Sequence, residues 1–495
     1  FSVFRVYAGA DNRPAEYSKD NKPYKPVYFA AVSMQGYKAD DYAMTIGFPG
    51  STDRYLTSWG VEDRIENENN PRIEVRGIKQ GIWKEAMSAD QATRIKYASK
   101  YAQSANYWKN SIGMNRGLAR LDVIGRKRAE ERAFADWIRK NGKSAVYGDV
   151  LSSLEKAYKE GAKANREMTY LSETLFGGTE VVRFAQFANA LATNPDAHAG
   201  ILKSLDDKYK DYLPSLDAKI AKAELAEYTR QIDRKDWPTA IAEGIDKFGS
   251  VDAYVDAMFA QSTFTTPEGF EAFKKLSAKE QQTVLSSDLM SRFAASVRTK
   301  REQLTKDLRA FDNPIDLARR TYVGGIMAQR GTDNLWPDAN STLRFTYGQV
   351  RGYSPVDGVE YQVPTTLRGV MEKEDPTSWE FAVPARLKEI YQKQLYGEGK
   401  RWAAKKADGT YEMPVNFAAT THTTGGNSGS PVFNKYGDLI GINFDRNWEG
   451  VGGDIQYLPS YQRSIICDIR YVLLLIDQLG ECPRLIQELS LVSRR

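Results

Sequence analysis

The sequence predicts an α+β protein in which a long helical insertion interrupts two strand-rich regions. Two observations carry this prediction. Along the 495 residues the hydrophobic period changes twice, from alternation to a period near 3.6 and back. The helical stretch, from about Trp83 to Arg320, is also far too long to be a loop between strands. Taken in order, Phe1 to about Thr57 is rich in aromatic and β-branched residues, with turn signals at Gln35-Gly36-Tyr37 and Phe48-Pro49-Gly50, as strands require. In the insertion, Leu151, Leu154, Tyr158 and Ala162 share one helix face, and Val181, Phe184, Ala188 and Leu191 another. The run Arg126-Lys127-Arg128-Ala129-Glu130-Glu131-Arg132 mixes both signs and reads as a solvated helix face. From Thr321 strand-type segments return, as in Thr342-Leu343-Arg344-Phe345-Thr346-Tyr347, and a C-terminal helix is expected from about Ile465. The expected organisation is therefore 1–82, strand-rich; 83–320, helical; 321–464, strand-rich; and 465–495, helical.

Composition excludes several classes. A net charge of +5 on 69 basic and 64 acidic residues is close to balance for this size and does not suggest a nucleic-acid function. The longest apolar run, Tyr471-Val472-Leu473-Leu474-Leu475-Ile476, is broken by Asp477. It is far short of the roughly 18 residues of a membrane span and reads as part of a buried helix. Two cysteines, Cys467 and Cys482, neither form a metal site nor demand a disulfide framework, and their pairing stays open. No cofactor and no metal are expected.

The most specific stretch is Thr423-Thr424-Gly425-Gly426-Asn427-Ser428-Gly429-Ser430-Pro431-Val432-Phe433-Asn434, which reads as the nucleophile loop of a trypsin-type serine peptidase. Glycines on both sides allow the tight, positive-φ backbone that projects one hydroxyl and aims neighbouring N–H groups at one point, as an oxyanion hole needs. Ser428 is the candidate nucleophile, and the backbone N–H groups of Gly426 and Ser428 are the candidate oxyanion donors. A bare Gly-Asn-Ser-Gly would support only a turn. Here an apolar strand follows and is turned back at Lys435-Tyr436-Gly437-Asp438 into Leu439-Ile440-Gly441-Ile442-Asn443-Phe444, which supplies the context the motif requires.

The chain resembles the bacterial dipeptidyl-peptidase 7 and 11 family of serine exopeptidases over nearly its whole length. The resemblance rests on Phe1-Ser2-Val3-Phe4-Arg5-Val6-Tyr7, Gly47-Phe48-Pro49-Gly50, Asn106-Tyr107-Trp108-Lys109-Asn110, Pro337-Asp338-Ala339-Asn340-Ser341-Thr342-Leu343-Arg344, and the serine loop with Phe444-Asp445-Arg446-Asn447-Trp448. It implies a chymotrypsin-like double β-barrel with a large inserted helical domain, the first barrel mostly absent from this chain. It also implies a homodimer in the periplasm or on the surface of a Gram-negative bacterium. In such peptidases a histidine base and an orienting aspartate precede the serine. Neither histidine of the chain suits that role. His198 sits in a loop, Asn194-Pro195-Asp196-Ala197-His198-Ala199-Gly200, and reads as solvated; His422, six residues before Ser428, would have to fold back across the glycine turn. The expectation is that the chain is the C-terminal part of a longer protein, that both residues lie upstream of Phe1, and that the chain alone is inactive.

A dipeptidyl peptidase must block its cleft two residues from the scissile bond and bind a free α-amine there. By resemblance the acceptors are Asn106 on the helical domain, Asp445, and the carbonyl of Phe444. Arg446, 18 residues after Ser428, lies just past the strand that walls the S1 pocket in trypsin-like folds. An arginine there can hold an aspartate or glutamate side chain at P1, the substrate residue before the scissile bond, through a bidentate contact. Family members with arginine at this position look like the Asp/Glu-specific dipeptidyl-peptidase 11, and those with glycine accept bulky apolar residues. Adjacent strand residues face opposite ways, so Asp445 and Arg446 both reach a substrate only if the strand ends or bulges there. The expected activity is release of N-terminal dipeptides with an acidic P1. The alternatives are a glutamyl endopeptidase with a helical accessory domain and a non-catalytic peptide-binding protein on a peptidase scaffold.

Overall fold

A computed structural model describes residues 3–193, 205, 207–333 and 335–494, with the side chains of 191–193 outside the description. The chain forms two compact units, one from Phe1–Thr52 with Asp338–Arg495 and the other from Asp53–Pro337. The first carries a nine-stranded sheet built from β1 (Val32–Ser33), β2 (Tyr42–Gly47), β3 (Arg344–Gln349), β4 (Thr365–Thr366), β5 (Pro414–Ala419), β6 (Pro431–Phe433), β7 (Leu439–Arg446), β8 (Ser464–Asp468) and β9 (Leu491–Val492). The order is β3-β2-β6-β7-β8-β5-β4, antiparallel throughout, with β1 pairing in parallel to both β7 and β9. Alternation builds it: along β2 the buried residues are Ala43, Thr45 and Gly47, and Ala43, Phe417, Val432, Ile440 and Ile466 meet in one core. A second core lies under Leu387, Ile390, Trp402, Leu473 and Leu474. The fold is thus a mixture of helix and antiparallel sheet. Among the described residues no closed barrel is seen, and β5 meets the strand-end residue beyond β3 through one isolated bridge, Val350 to Ala419.

Several sequence expectations are corrected. The segment Ser464–Asp468 is strand β8, with Ser464, Ile466 and Asp468 buried, and the C-terminal helix starts at Ile469 rather than at about Ile465. Helix begins at Ser58 rather than near Trp83, and the helix Leu289–Arg330 runs through Thr321, where strands were expected to resume. Most of residues 3–31 is not strand, and Phe4, Tyr17, Tyr28 and Phe29 are exposed. In the helix Val123–Lys140, Lys127 and Glu131 are buried rather than solvated. Lys127 Nζ donates to the carbonyl of Arg54 at 2.6 Å, and Glu131 accepts from the N–H and hydroxyl of Ser58. Both cysteines are free thiols, Cys467 half-buried in β8 and Cys482 exposed.

The second unit is helical. Its core joins Leu175, Val181, Phe184, Tyr209, Tyr228, Tyr254, Phe270 and Phe293, so the face carrying Val181, Phe184 and Ala188 is buried as expected; the side chain of Leu191 lies outside the described residues. Inside this unit the helices Asn70–Ala89 and Pro214–Gln231 bring buried Lys79 to 3.1 Å from buried Glu224. Two turns earlier Asp217 accepts the N–H groups of Glu180 and Val181 and so ties down the start of the helix Glu180–Thr193. Burial pushes the Glu224 carboxyl up to about 8, against the opposing pull of Lys79. A carboxyl whose folded pKa lies above its unfolded value of about 4.3 binds more protons in the folded state, so its contribution to stability falls as pH rises between those values. Denaturant midpoints should therefore drop from pH 5 to pH 8, and Glu224→Gln should flatten that dependence. An unchanged slope in the variant would show that other groups set it.

Candidate active site

The serine loop is the turn between β5 and β6. Its shape comes from backbone contacts rather than side-chain packing. Gly426 has φ of 103°, where a side chain is strained, and a Cβ there would lie 2.4 Å from the carbonyl oxygen of Phe48. Gly50 N–H donates to the carbonyl of Gly425 at 2.6 Å, and a Cβ on Gly47 would lie 2.1 Å from Ser430 Oγ. The segment Gly47-Phe48-Pro49-Gly50 therefore presses directly on the loop. That segment is held in turn by Ser341 N–H on the Pro49 carbonyl and by the Thr52 hydroxyl on Asp338, at 2.7 Å. Two of the motifs singled out in the sequence, 47–50 and 337–344, thus converge on the position of Ser428.

Within the loop Asn427 is buried and acts as a brace. Its N–H donates to the Thr424 carbonyl, its Oδ1 accepts from Thr424 N–H, and its carbonyl accepts from Asn443 Nδ2. Gly429 N–H donates to the Asn443 carbonyl at 2.7 Å. Among the described residues the N–H groups of Gly426 and Ser428 have no protein acceptor, the state expected of donors kept for a developing oxyanion. Ser428 is exposed, and its hydroxyl donates to the carbonyl of Phe444 at 3.2 Å.

Phe444 sits where β7 slips its register against β8, between Asn443 and Asp445. The bulge breaks alternation, so that Phe444 and Asp445 are both exposed and Arg446 is the last strand residue. The condition for Asp445 and Arg446 to serve one site is met. Asp445 Oδ1 accepts from the N–H of Arg446 at 2.8 Å. The Arg446 guanidinium forms a two-pronged pair with Asp454, 2.7 Å at each prong. Asp454 also accepts the Thr424 hydroxyl at 2.5 Å, which ties the arginine to the serine loop. Beside it lies a small hollow of about 10 Å³ lined by Thr421, Thr423, Arg446, Gly453 and Tyr457.

Asp454 and Thr424 were not picked out as site residues from the sequence. Thr424 lay inside the serine loop without a role of its own, and the one signal for Asp454 was an acid closing Val451-Gly452-Gly453-Asp454, too common a pattern to mark a site. His422 stacks its ring on Tyr457 at 3.8 Å between centroids, and its N–H donates to the Thr346 hydroxyl; His198 lies outside the described residues. Asn106 is exposed on the helix Gln91–Arg120 of the other unit, beside Trp108, whose indole donates to the Ile73 carbonyl. Among the described residues no group of histidine, cysteine, aspartate and glutamate could hold a metal ion, and no helix is long and apolar enough to cross a membrane.

The family model described as Peptidase S46 matches residues 1–491. The chain belongs to the peptidase S46 family. Among its S46 relatives, a protein of Porphyromonas gingivalis named dipeptidyl-peptidase 7 is 65% identical over 99% of this chain and 68% of its own length. The Asp/Glu-specific dipeptidyl-peptidase of Porphyromonas endodontalis is 43% identical over 99% of this chain and 68% of its own length. The chain spans 60% of a further relative, the dipeptidyl-peptidase 7 of P. endodontalis. Among solved S46 structures, that of P. endodontalis DPP11 in complex with the dipeptide Arg-Glu matches with a TM-score of 0.87 and 43% identity, over 98% of this chain and 69% of that one.

Proposed function

We propose that the chain carries the serine-bearing part of a dipeptidyl peptidase that releases N-terminal dipeptides with aspartate or glutamate at P1. The observation that carries this reading is the path from Ser428 through the Phe444 carbonyl to Arg446, two residues further along a bulged strand. In the proposed reaction Ser428 Oγ attacks the carbonyl carbon after the second residue, and the N–H groups of Gly426 and Ser428 receive the oxyanion. Arg446 offers its remaining N–H donors to the P1 carboxylate, while Asp445 and the Phe444 carbonyl accept from the substrate amine. Asn106 is the acceptor that the resemblance assigns on the helical unit. The Arg-Glu and Arg-Asp complexes of the P. endodontalis relative support an acidic P1.

The histidine and aspartate of the triad are assigned to residues outside this chain. One fact favours that: the His422 ring is engaged with Tyr457. The chymotrypsin-like double barrel, the homodimer and the periplasmic or surface location belong to the same proposal. The Val350–Ala419 bridge favours a barrel around the serine loop.

A series of dipeptidyl substrates differing only at P1, read with the intact protein, tests the assignment. Substrates ending in Glu or Asp should exceed those ending in Leu in kcat/KM. Equal rates across the series would remove Arg446 from S1. A second reading, tolerance of uncharged P1 residues, is favoured by one observation, the pairing of Arg446 with Asp454.

A further inference from the structure

We propose that Asp454 sets the P1 selectivity of this site by neutralising Arg446, so that an acidic side chain meets a pocket of zero net charge instead of a cationic one. The inference rests on Arg446 lining S1. Both side chains are largely withdrawn from solvent, 13% exposed for Arg446 and 18% for Asp454. At 2.7 Å on each prong the pair is charge-assisted and screened little by salt. Asp454 is not a loose counter-ion: the Thr424 hydroxyl holds the carboxylate oxygen that Arg446 Nη1 uses.

A guanidinium has five N–H donors, and Asp454 takes one from each terminal nitrogen. The edge formed by Nε–H and one further Nη–H has no acceptor among the described residues, so a P1 carboxylate can bind side-on without displacing Asp454. It would then stand within a few ångströms of a second carboxylate. At an effective dielectric of about 20, like charges at such separations oppose each other strongly enough to cost on the order of tenfold or more in binding. An uncharged P1 side chain is spared that repulsion. The aspartate therefore narrows the margin by which Glu and Asp are preferred and keeps neutral residues admissible. This accords with a chain that has the arginine of the acid-specific pattern and yet is more similar to a protein named dipeptidyl-peptidase 7 than to one named Asp/Glu-specific.

The test compares kcat/KM for two substrates of equal shape, with Glu or Gln at P1, in the intact protein and in its Asp454→Asn and Arg446→Gly variants. Asp454→Asn should raise the Glu/Gln ratio about tenfold, and Arg446→Gly should lower it below the parent. Because both substrates are read on one sample, the ratio does not depend on the fraction folded. Asp454→Ala, which removes the charge without adding a donor, should move the ratio the same way. If Asp454→Asn leaves or lowers the ratio while Arg446→Gly abolishes acid preference, Asp454 is a positioning residue and the proposal fails while the S1 reading stands. If Arg446→Gly changes nothing, the S1 reading and this inference fail together.

Discussion

Ser428→Ala in the intact protein is expected to lower kcat by at least about 10⁴-fold, with KM changed little, because the oxyanion donors and binding contacts survive while the nucleophile is lost. The structure says why the loss should be chemical rather than structural. Ser428 is exposed, and among the described residues its side chain makes one hydrogen bond, to the Phe444 carbonyl. Deleting it should cost no more than about 1 kcal/mol of stability. The loop is fixed by other groups: the Asn427 brace, Gly429 on Asn443, and Gly50 on Gly425. A thermal melt alongside single-turnover and steady-state rates separates the cases. An unfolding midpoint that falls steeply would show that Ser428 is structural. Retained activity would assign the attack to another group.

The second large effect is expected for Arg446→Gly. A bidentate charge-assisted contact is worth roughly 1.5–3 kcal/mol, and its loss alone predicts one to two decades in kcat/KM for acidic P1. Among the described residues, removing the guanidinium leaves Asp454 with the Thr424 hydroxyl as its one remaining side-chain partner. The pocket then presents a bare carboxylate to the incoming one, so the total loss should reach about 10²–10³-fold. Substrates with leucine at P1 should gain from the vacated volume. The check is the P1 series run on parent and variant side by side. A uniform fall across the series would mean that the substitution disturbed the Arg446–Asp454–Thr424 ties to the loop instead of specificity.

The site was legible where the chemistry is local. Glycines around Ser428 announce a backbone-shaped turn, and two adjacent polar residues at Asp445 and Arg446 announce the end of regular alternation, which the bulge at Phe444 supplies. What could not be read is the contact geometry that fixes them. That Gly426 must be glycine because Phe48 O crowds it, and that Gly47 must be because Ser430 does, depends on segments about 380 residues apart in the chain. Asp454 was missed for the same reason, since its partners are chosen by folding. In the fold, Ile465–Asp468 was misread as helix because Ile465 and Ile466 adjoin a helical apolar run, and so short a stretch does not distinguish the two periods. The helix start at Ser58 was hidden by polar residues that pair across the bundle, as Asn69 does with Asn115 and Ser58 with Glu131.

The most direct measurement is mass-spectrometric identification of the products when the intact protein acts on one peptide with glutamate at the second residue, offered with a free and with an acetylated N-terminus. The expected result is release of the N-terminal dipeptide from the free form and no cleavage of the blocked form, since amine capture by Asp445 and the Phe444 carbonyl sets the position of attack. Cleavage of the acetylated peptide, or internal cuts after glutamate in either form, would contradict the exopeptidase reading and favour an open-cleft glutamyl endopeptidase.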